Sequence, residues 1–301
     1  MSETPFFSII IPTYNRADKL DIPIKSILNQ QFKNWELIII DDGSTDETNT
    51  LIQNYSSHNI HYFYQHRQGR STARNLGISK ARGTYICFQD SDDEYLPDHL
   101  QTLYEAILKN DSYKVFRTGM LIYENGKASK KSNTIGTKGW NAYPFENFTT
   151  AAFYRDLLNE KSFPVAYFVN EDLYFFLKIG EEEPIHVINI WTAIYHYNPR
   201  NSGGIGPDYE KNMLNRKACL DDILCWHHSD IRHYIIKLRC LTELLLLAGH
   251  IEYNTEKIPG AIVNNIAIFY RFPMAYSYLC FRIIYVKWGE WSGLYRTKDR
   301  F

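Results

Sequence analysis

Three carboxylates follow a short apolar segment near residue 90. The segment is Tyr85–Phe88, and Asp90, Asp92 and Asp93 come after it within four positions. Like charges at this spacing repel one another and raise one another's pKa unless a cation or hydrogen-bond donors compensate. Mg²⁺ and Mn²⁺ prefer oxygen ligands and usually bind through one or two carboxylates together with substrate phosphates. Asp90-Ser91-Asp92 is therefore a candidate metal and diphosphate site, and the alternative is a polar turn leading into an acidic helix N-terminus.

A second acidic segment, Asp41–Asp46, follows the apolar run Trp35–Ile40. In open α/β sheets, ligands bind beyond the carboxyl ends of the strands, so we expect the two acidic groups to lie on the same side of a sheet. Asp42 is suited to accept a hydrogen bond from the N–H group of a nucleobase. Alternatively, the segment forms an Asp-Gly turn whose later residues cap the following helix, which needs no ligand. Both roles are compatible.

Polar residues also follow the first apolar run, and two arginines begin a later helix. The first run, Phe6–Ile11, is followed by Pro12-Thr13-Tyr14-Asn15-Arg16. Arg70 and Arg74 are four residues apart, which places them on one face of a helix. A cationic pair at this position suits contact with an anion. The alternatives are ordinary loop residues at 12–16 and, for the arginines, a solvated cationic face or an ion pair with a carboxylate of the site.

Strands and helices that would position these residues alternate along the first third of the chain. The pattern predicts a parallel sheet with right-handed crossovers and helices on both faces. The predicted strands are 6–12, 35–40, 60–64 and 84–88, and the predicted helices are 17–31, 46–55 and 69–80.

The pattern is less regular after residue 98. An Asn-Gly dipeptide after the next strand predicts a hairpin, and the periodicity from 209 to 250 is helical almost throughout. The other predictions are a helix at 99–108, a strand at 115–123, a variable loop at 128–150, a helix at 171–179, a strand at 185–195 and a loop at 198–207.

The composition excludes several classes of protein. Hydrophobic residues at 45% and charged residues at 22% are typical of a soluble globular protein, and a net charge of −1 gives no support to a nucleic-acid binder. The five cysteines include no Cys-x-x-Cys pair, which argues against a disulfide framework or a zinc site and favours a reducing compartment. No basic segment precedes the first apolar run, and no uninterrupted apolar stretch reaches about 18 residues. We therefore expect a cytoplasmic protein without a signal peptide or a membrane span.

Four segments together resemble, in order and spacing, the motifs of the family 2 glycosyltransferases of GT-A fold. They are Pro12–Arg16, Asp41–Asp46, Gly69–Gly77 and Asp90–Asp93. The resemblance is dense over residues 6–100 and thinner over 165–200. It implies an α/β protein with the GT-A nucleotide-diphospho-sugar transferase fold, in which helices flank a mostly parallel central sheet.

The resemblance also divides the chain. It implies a GT-A catalytic domain at 1–207, in which residues 1–100 bind the nucleotide and residues 101–207 bind the acceptor. The helical periodicity that begins at residue 209 predicts, separately, that residues 208–301 form a helical C-terminal appendage.

The resemblance further implies a role for the residues at the strand ends. Asp90 would meet the ribose or the metal, and Asp92 would meet the metal, a Mn²⁺ or Mg²⁺ ion that neutralises the charge growing on the leaving diphosphate. Asp93 would assist or cap the next helix, and Arg74 is the stronger of the two arginines as an anion contact. The implied nucleotide-sugar contacts are Pro12, Thr13, Tyr14, Arg16, Asp42, Arg70, Arg74, Asp90 and Ser91.

Asn170-Glu171-Asp172 resembles the family's Glu-Asp motif, in which the Asp lies by the acceptor. This implies that Asp172 takes the proton of the acceptor hydroxyl while the oxygen attacks the anomeric carbon from the face opposite the diphosphate, with inversion. Glu171 is the second candidate for this base, which works only near hydrogen-bond reach of the hydroxyl. The alternative is a helix N-terminus at which the helix dipole favours two acids.

His196 follows the last predicted strand. In the family, the corresponding segment closes over the diphosphate, and a His there can serve as an added metal ligand. Because the sequence departs from the commoner Tyr-Arg pattern, an ordinary polar loop residue is the alternative. Arg200 and Ser202 are comparable candidates for contact with the diphosphate.

The C-terminal segment 255–301 is basic and aromatic. It contains seven Lys or Arg residues against three acids, interleaved with Phe, Tyr and Trp. Such a segment could form an interfacial surface on an anionic inner membrane, so that the protein lies peripherally on the cytoplasmic face. A helical subdomain or a dimer interface is the alternative.

The sequence thus predicts an inverting, metal-dependent transferase that moves a sugar from a nucleotide donor, most simply a UDP-sugar, to a hydroxyl of a surface glycan or a lipid-linked acceptor. A nucleotidyltransferase is the nearest alternative, but Thr13–Lys19 lacks the Gly-rich basic loop expected there. A dinucleotide-dependent dehydrogenase is disfavoured because no Gly-x-Gly-x-x-Gly follows the first strand. A non-catalytic sugar-nucleotide-binding assembly subunit is the alternative from another class.

Overall fold

The computed structural model divides the chain into two compact units, Met1–Pro207 and Asp208–Phe301. It describes the second unit only at scattered helical residues between 212 and 223. In the first unit, it describes residues 4–55, 59–124, 127–131, 148–169, 171–180 and 183–197.

In the described part of the chain, nine strands form one mixed sheet. Its order is β3-β2-β1-β4-β8-β6-β9-β5, with β7 paired to β6. The four strands β3, β2, β1 and β4 are parallel, β8 runs antiparallel to β4 and to β6, and β9 is parallel to β6. The strands are β1 Phe7–Thr13, β2 Trp35–Asp41, β3 Ile60–Tyr64, β4 Tyr85–Phe88, β5 Glu94–Tyr95, β6 Val115–Glu124, β7 Lys127–Lys131, β8 Ala151–Tyr154 and β9 Ile185–Tyr197.

Helices cover both faces of this sheet. Every residue of β1 and β2 is buried, as expected for central strands that are apolar on both faces. Side chains of α1 and α4 pack in the apolar cluster on one face, and side chains of α3, α5 and α6 pack in the cluster on the other. The helices are α1 Asp21–Leu28, α2 Thr48–Gln53, α3 Arg70–Lys80, α4 His99–Lys109, α5 Arg155–Glu160 and α6 Glu171–Gly180.

Helix α3 lies unusually close to β1 because it contains Gly77. A Cβ atom at this position would meet Cγ2 of Ile10 at 2.4 Å. The close approach fixes the helix on the sheet, so that its first turns, with Arg70 and Arg74, lie beyond the carboxyl ends of the parallel strands.

The structure confirms the parallel alternation, the hairpin of β6 and β7 and the predicted class of fold. Two predictions were wrong in detail. Helix α1 begins at Asp21 rather than at residue 17, and the loop predicted at 128–150 contains most of β7 and a 3₁₀ turn at Phe148–Thr150. The sequence did not predict the short strands β5 and β8 or helix α5. None of the described helices is long and apolar enough to cross a membrane.

Several predictions lie outside the described residues. They are the loop at 198–207, with Arg200 and Ser202, and almost all of the helical appendage, including the basic aromatic segment 255–301. The division of the chain into nucleotide-binding, acceptor-binding and appendage regions stays a prediction.

Candidate active site

The loops after β1 and β2 are joined by hydrogen bonds at the carboxyl edge of the sheet. Asn15, which has a left-handed backbone with φ of 49°, donates its N–H to Ser44 Oγ at 2.9 Å. Its side-chain oxygen accepts from the N–H of Thr45 at 2.8 Å, and the N–H of Ala17 donates to Asp46 Oδ2 at 3.1 Å. The two segments that sequence analysis singled out separately are therefore joined by hydrogen bonds into one structure.

Asp42 is buried and has local partners for both oxygens. Its Oδ1 accepts from Gln65 Nε2 at 2.7 Å and from the N–H of Gln68 at 2.8 Å, and its Oδ2 accepts from the N–H of Gly69 at 2.8 Å. These bonds fix the loop between β3 and α3. The sequence did not predict this structural role for Asp42, since its alternative was a turn whose later residues cap the following helix. The contact of Asp42 with a nucleobase stays a prediction.

Arg67 contacts Tyr14 at the same edge and was not singled out in the sequence. Its Nη1 donates to the Tyr14 hydroxyl at 2.8 Å, and its guanidinium carbon lies 4.1 Å from the ring centroid. Gly43 allows the Arg67 backbone to lie this close. Its φ is 86°, and a Cβ atom there would meet the backbone nitrogen of Arg67 at 2.9 Å. The only feature of the sequence that could have indicated Arg67 is that it is a basic residue in the loop after a strand.

The predicted first-strand contacts differ in accessibility. Pro12 and Thr13 are buried within β1, whereas Tyr14 and Arg16 lie in the loop after it and are partly accessible. Thr13 Oγ1 is buried and has no hydrogen-bond partner among the described residues. Within this segment, Tyr14 and Arg16 are therefore better placed than Pro12 to meet a ligand through their side chains.

Asp90 and Asp92 lie together beyond β4, each beside an arginine. Asp90 Oδ1 is 3.1 Å from Arg74 Nη2, and Asp92 Oδ2 is 3.5 Å from Arg16 Nη2. Their side chains are 31% and 35% exposed, whereas Asp93 is fully buried. Burial and the nearby charge of Asp90 raise the pKa of Asp92 above its usual value, against the opposing effect of Arg16. Two partly exposed carboxylates under mutual repulsion fit a divalent cation.

His196 lies near the end of β9 and contacts Glu94 of β5. Its Nε2 is 3.0 Å from Glu94 Oε1. Across the described residues, no three His, Cys, Asp or Glu side chains form a cluster that could hold a metal ion by themselves. The structure therefore gives His196 a carboxylate partner other than Asp90 or Asp92, and its role as a third metal ligand stays a prediction.

Glu171 and Asp172 are the first two residues of α6 and differ in their surroundings. Glu171 is 2% exposed, and its Oε1 lies 2.7 Å from Arg70 Nε and 2.9 Å from Arg74 Nη1. Asp172 is half-buried, and its Oδ1 accepts from the N–H of Leu173 at 2.8 Å. Burial, and then the charge of Glu171, raise the pKa of Asp172. Of the two acids, Asp172 has the properties expected of a general base.

The two arginines of α3 also differ in exposure and in their partners. The sequence ranked Arg74 first as an anion contact, but it is 2% exposed and its guanidinium is paired with Asp90 and Glu171. The alternative that the sequence left open, an ion pair with carboxylates of the site, describes it. The Arg70 side chain is 53% exposed and also donates to the carbonyl oxygen of Phe168 at 2.5 Å. Arg70 is thus the more accessible cation.

With this geometry established, comparisons with known proteins identify the family. The sequence profile described as Glycosyl transferase family 2 matches residues 8–164. The chain belongs to this family. The family predicted from the four motifs is confirmed.

Two curated relatives act on undecaprenol-linked acceptors according to their names. One is a GalNAc(5)-diNAcBac-PP-undecaprenol beta-1,3-glucosyltransferase from Campylobacter jejuni, 34% identical over 179 residues, with 56% of this chain and 57% of that protein covered. The other is a UDP-Glc:alpha-D-GlcNAc-diphosphoundecaprenol beta-1,3-glucosyltransferase from Escherichia coli, 30% identical over 189 residues, with 60% and 72% covered. The chain thus spans little more than half the length of the Campylobacter protein.

A solved structure shows the same fold. The crystal structure of Staphylococcus aureus TarS 1-349 in complex with UDP-GlcNAc superposes with a TM-score of 0.66 at 20% identity and covers 90% of this chain and 87% of that chain. At this identity the likeness concerns the fold alone. It supports the predicted GT-A fold.

Proposed function

We propose that this protein is an inverting, metal-dependent glycosyltransferase that moves a sugar from a UDP-sugar to a hydroxyl of a lipid-linked or polysaccharide acceptor. One observation carries the proposal: an acid on the side assigned to the sugar donor and an acid on the side assigned to the acceptor contact the same arginine. Asp90 after β4 and Glu171 at the start of α6 both contact Arg74, at 3.1 and 2.9 Å. Family membership supports the same activity.

On the donor side, we assign the nucleotide sugar to the carboxyl edge of the parallel strands. Asp90 and Asp92 would hold Mn²⁺ or Mg²⁺, which when bound neutralises negative charge on the leaving diphosphate. Arg16 and Arg70 are partly exposed cations at this edge and would face the phosphates. The further contacts that we assign to the donor are Thr13, Tyr14, Asp42 and Ser91.

On the acceptor side, Asp172 is the proposed base. It removes the proton of the acceptor hydroxyl as the oxygen bonds to the anomeric carbon and the bond from that carbon to the diphosphate oxygen breaks. Attack from the opposite face inverts the configuration. Glu171 is less suited because both Arg70 and Arg74 neutralise it and it is 2% exposed.

The substrates are proposed from the relatives. Both act on acceptors carried by undecaprenol, one uses UDP-Glc by name, and the TarS structure contains UDP-GlcNAc. We therefore infer a UDP-hexose or UDP-N-acetylhexosamine donor and an acceptor on a polyprenyl diphosphate. An acceptor of this kind would place the reaction at the cytoplasmic face of the membrane.

The proposal is tested by calorimetric titration with UDP-, GDP-, CMP- and dTDP-sugars, with Mn²⁺ and with chelator. We expect binding of a UDP-sugar that requires Mn²⁺ and is lost in Asp92→Ala, because this change removes a metal ligand. Asp111→Ala, which removes an exposed acid in the turn before β6, is the control and should bind normally. Binding that is indifferent to the metal and to Asp92 would exclude the metal-dependent mechanism.

The same samples separate the rival functions. Incubation of the bound donor with a synthetic polyprenyl-diphosphate sugar should release UDP and extend the acceptor. Donor binding without transfer would favour a non-catalytic assembly subunit. Release of inorganic pyrophosphate from a nucleoside triphosphate and a sugar phosphate would indicate a nucleotidyltransferase.

A further inference from the structure

Arg74 lies between the acids of the two halves of the site. Its Nη2 donates to Asp90 Oδ1 at 3.1 Å, and its Nη1 donates to Glu171 Oε1 at 2.9 Å. Asp90 follows β4 on the donor side, and Glu171 is the first residue of α6, directly before Asp172. One guanidinium group therefore connects the proposed metal side to the helix that carries the proposed base.

Aromatic rings hold the same guanidinium from another direction. Its central carbon lies 4.4 Å from the ring centroid of Phe148 and 5.1 Å from that of Phe163. Phe163 in turn stacks on Phe175 of α6 with centroids 3.9 Å apart. A cation over an aromatic face is attracted to it, and the attraction grows where water is excluded. Arg74 is thus fixed relative to α6 both by an ion pair and by ring packing.

Burial separates the role of Arg74 from that of Arg70. Arg74 and Glu171 are each 2% exposed, so this ion pair is shielded from solvent. Arg70 precedes Arg74 by one helical turn, contacts the same Glu171 oxygen at 2.7 Å and has a 53% exposed side chain. The exposed cation can meet a donor phosphate, whereas the buried one cannot do so without leaving its partners.

We propose that Arg74 is a positioning residue, which holds the first turn of α6, with Asp172, at a fixed place relative to Asp90. This inference rests on the proposed function, because it concerns the same site. The planar fork of arginine can bind two carboxylates at once in fixed geometry, whereas the single ammonium group of lysine is a point charge. Arg74→Lys therefore keeps the charge and loses the bridge.

The expected result is a split between catalysis and donor binding. In Arg74→Lys, the base is displaced from the acceptor hydroxyl, and a displacement of about 1 Å can lower the rate by about 100-fold. We expect kcat to fall by about that factor, while the Kd for UDP in the presence of Mn²⁺, measured by calorimetry, changes by less than about threefold. Arg70→Lys should show the opposite split, because we assign Arg70 to the donor.

Arg82→Lys is the matched control for a general structural effect. Arg82 also pairs with a buried glutamate, Glu36, at 2.7 Å, but at the amino end of the parallel strands. This variant should unfold at a lower temperature and keep both kcat and UDP affinity. If Arg74→Lys does not fold, Glu171→Gln removes the charge that pairs with both Arg74 and Arg70, with little change in shape. A loss of kcat with retained UDP binding is then expected in Glu171→Gln but not in Arg70→Lys, which changes only the Arg70 contact.

The outcomes that contradict the inference are specific. Weaker UDP binding with unchanged kcat in Arg74→Lys would make Arg74 a donor contact, and unchanged values of both would make it dispensable. The bridge is also measured without activity, by a double-mutant cycle of Arg74→Lys and Glu171→Gln on the free energy of unfolding. Additive effects would exclude it. Absence of transfer by the unmodified protein with every donor would instead overturn the proposed function, and the unfolding cycle would still decide whether the link exists.

Discussion

The two ends of the parallel strands each contain a buried glutamate paired with arginine, but the pairs differ in completeness. At the amino end, Glu36 Oε1 accepts from Ser8 Oγ at 2.6 Å and from the N–H of Arg82 at 2.7 Å, and its Oε2 accepts from two nitrogens of the Arg82 side chain. At the carboxyl end, Glu171 Oε1 has two arginine partners, and Oε2 has none among the described residues.

The pKa shifts of the acids at the two ends show the same contrast. Hydrogen bonds from Ser8 and Arg82 outweigh the opposing effect of burial and lower the pKa of Glu36. In contrast, burial and like charges raise the pKa of Asp92 and of Asp172. Acids with complete local partners stabilise a fold, whereas acids held in repulsion are typical of functional sites. The comparison therefore indicates a stabilising role for Glu36 at the amino end, and it supports the chemical role proposed for the acids at the carboxyl end.

The largest expected effect is that of Asp172→Asn at the carboxyl edge. Loss of a general base typically lowers the rate by a factor of 10² to 10⁴, so we expect kcat to fall by about 10³-fold. UDP binding should be retained, because Asp172 is assigned to the acceptor. Transfer assays and calorimetry on the same sample measure both quantities.

Asp156→Asn is the matched control for this change. Asp156 is the second residue of α5, as Asp172 is of α6, and its side chain is 62% exposed. It should keep full activity. Full activity in Asp172→Asn would mean that the acids at the start of α6 only stabilise the N-terminus of this helix.

Glu36→Gln should affect stability and leave transfer unchanged. Breaking a buried ion pair on one side typically costs about 3 kcal/mol, and Glu36 is 2% exposed. Urea unfolding at neutral pH should show this loss, with unchanged kcat for the protein that remains folded. Glu105→Gln, on the exposed side of α4, is the control and should change stability by less than about 0.5 kcal/mol. A large loss of kcat in Glu36→Gln would contradict the division between the two edges.

The parallel half of the fold could be predicted because its strands are continuous apolar runs. Ile9, Ile10 and Ile11 are all fully buried, and no alternation is needed to recognise such a strand. The other half could not be predicted in full. Strand β8 has four residues and lies between β4 and β6, which it pairs antiparallel. The pairing of so short a segment depends on distant residues rather than on its own propensity.

The site shows the same limit. The strand-end acids were recognised because their types and positions relative to the strands carry the chemistry. The sequence ranked Arg74 above Arg70 as an anion contact, but it could not show which of the two is buried, since residues four apart share a helix face. The two arginines are distinguished by Phe148 and Phe163, which lie far along the chain. Both rings contact Arg74 and not Arg70.

The smallest expected effect is a difference in the pH dependence of the two edges. The pKa of Glu36 is lowered on folding, so its stabilisation is present above its unfolded pKa of about 4.3 and is lost as the pH falls through the lower folded value. The pKa of Asp172 is raised, so the ionised base is lost at a higher pH than an ordinary aspartate, whose pKa is about 3.9. On acidification, activity should therefore start to fall at a higher pH than an unperturbed aspartate would allow, and the Glu36 contribution to stability should persist to a lower pH than that of an unperturbed glutamate.

Both effects are measured by kcat at saturating Mn²⁺ and donor, together with urea unfolding at each pH. Saturating metal separates the titration of Asp172 from competition of protons with the metal at Asp92. Because the fold persists through the acidic limb of the kcat profile, activity should return fully on neutralisation. The contrary result is a loss of activity that coincides with unfolding, at a pH where Glu36→Gln and the unmodified protein are equally stable. It would show that the raised pKa of Asp172 does not set the acidic limit of activity.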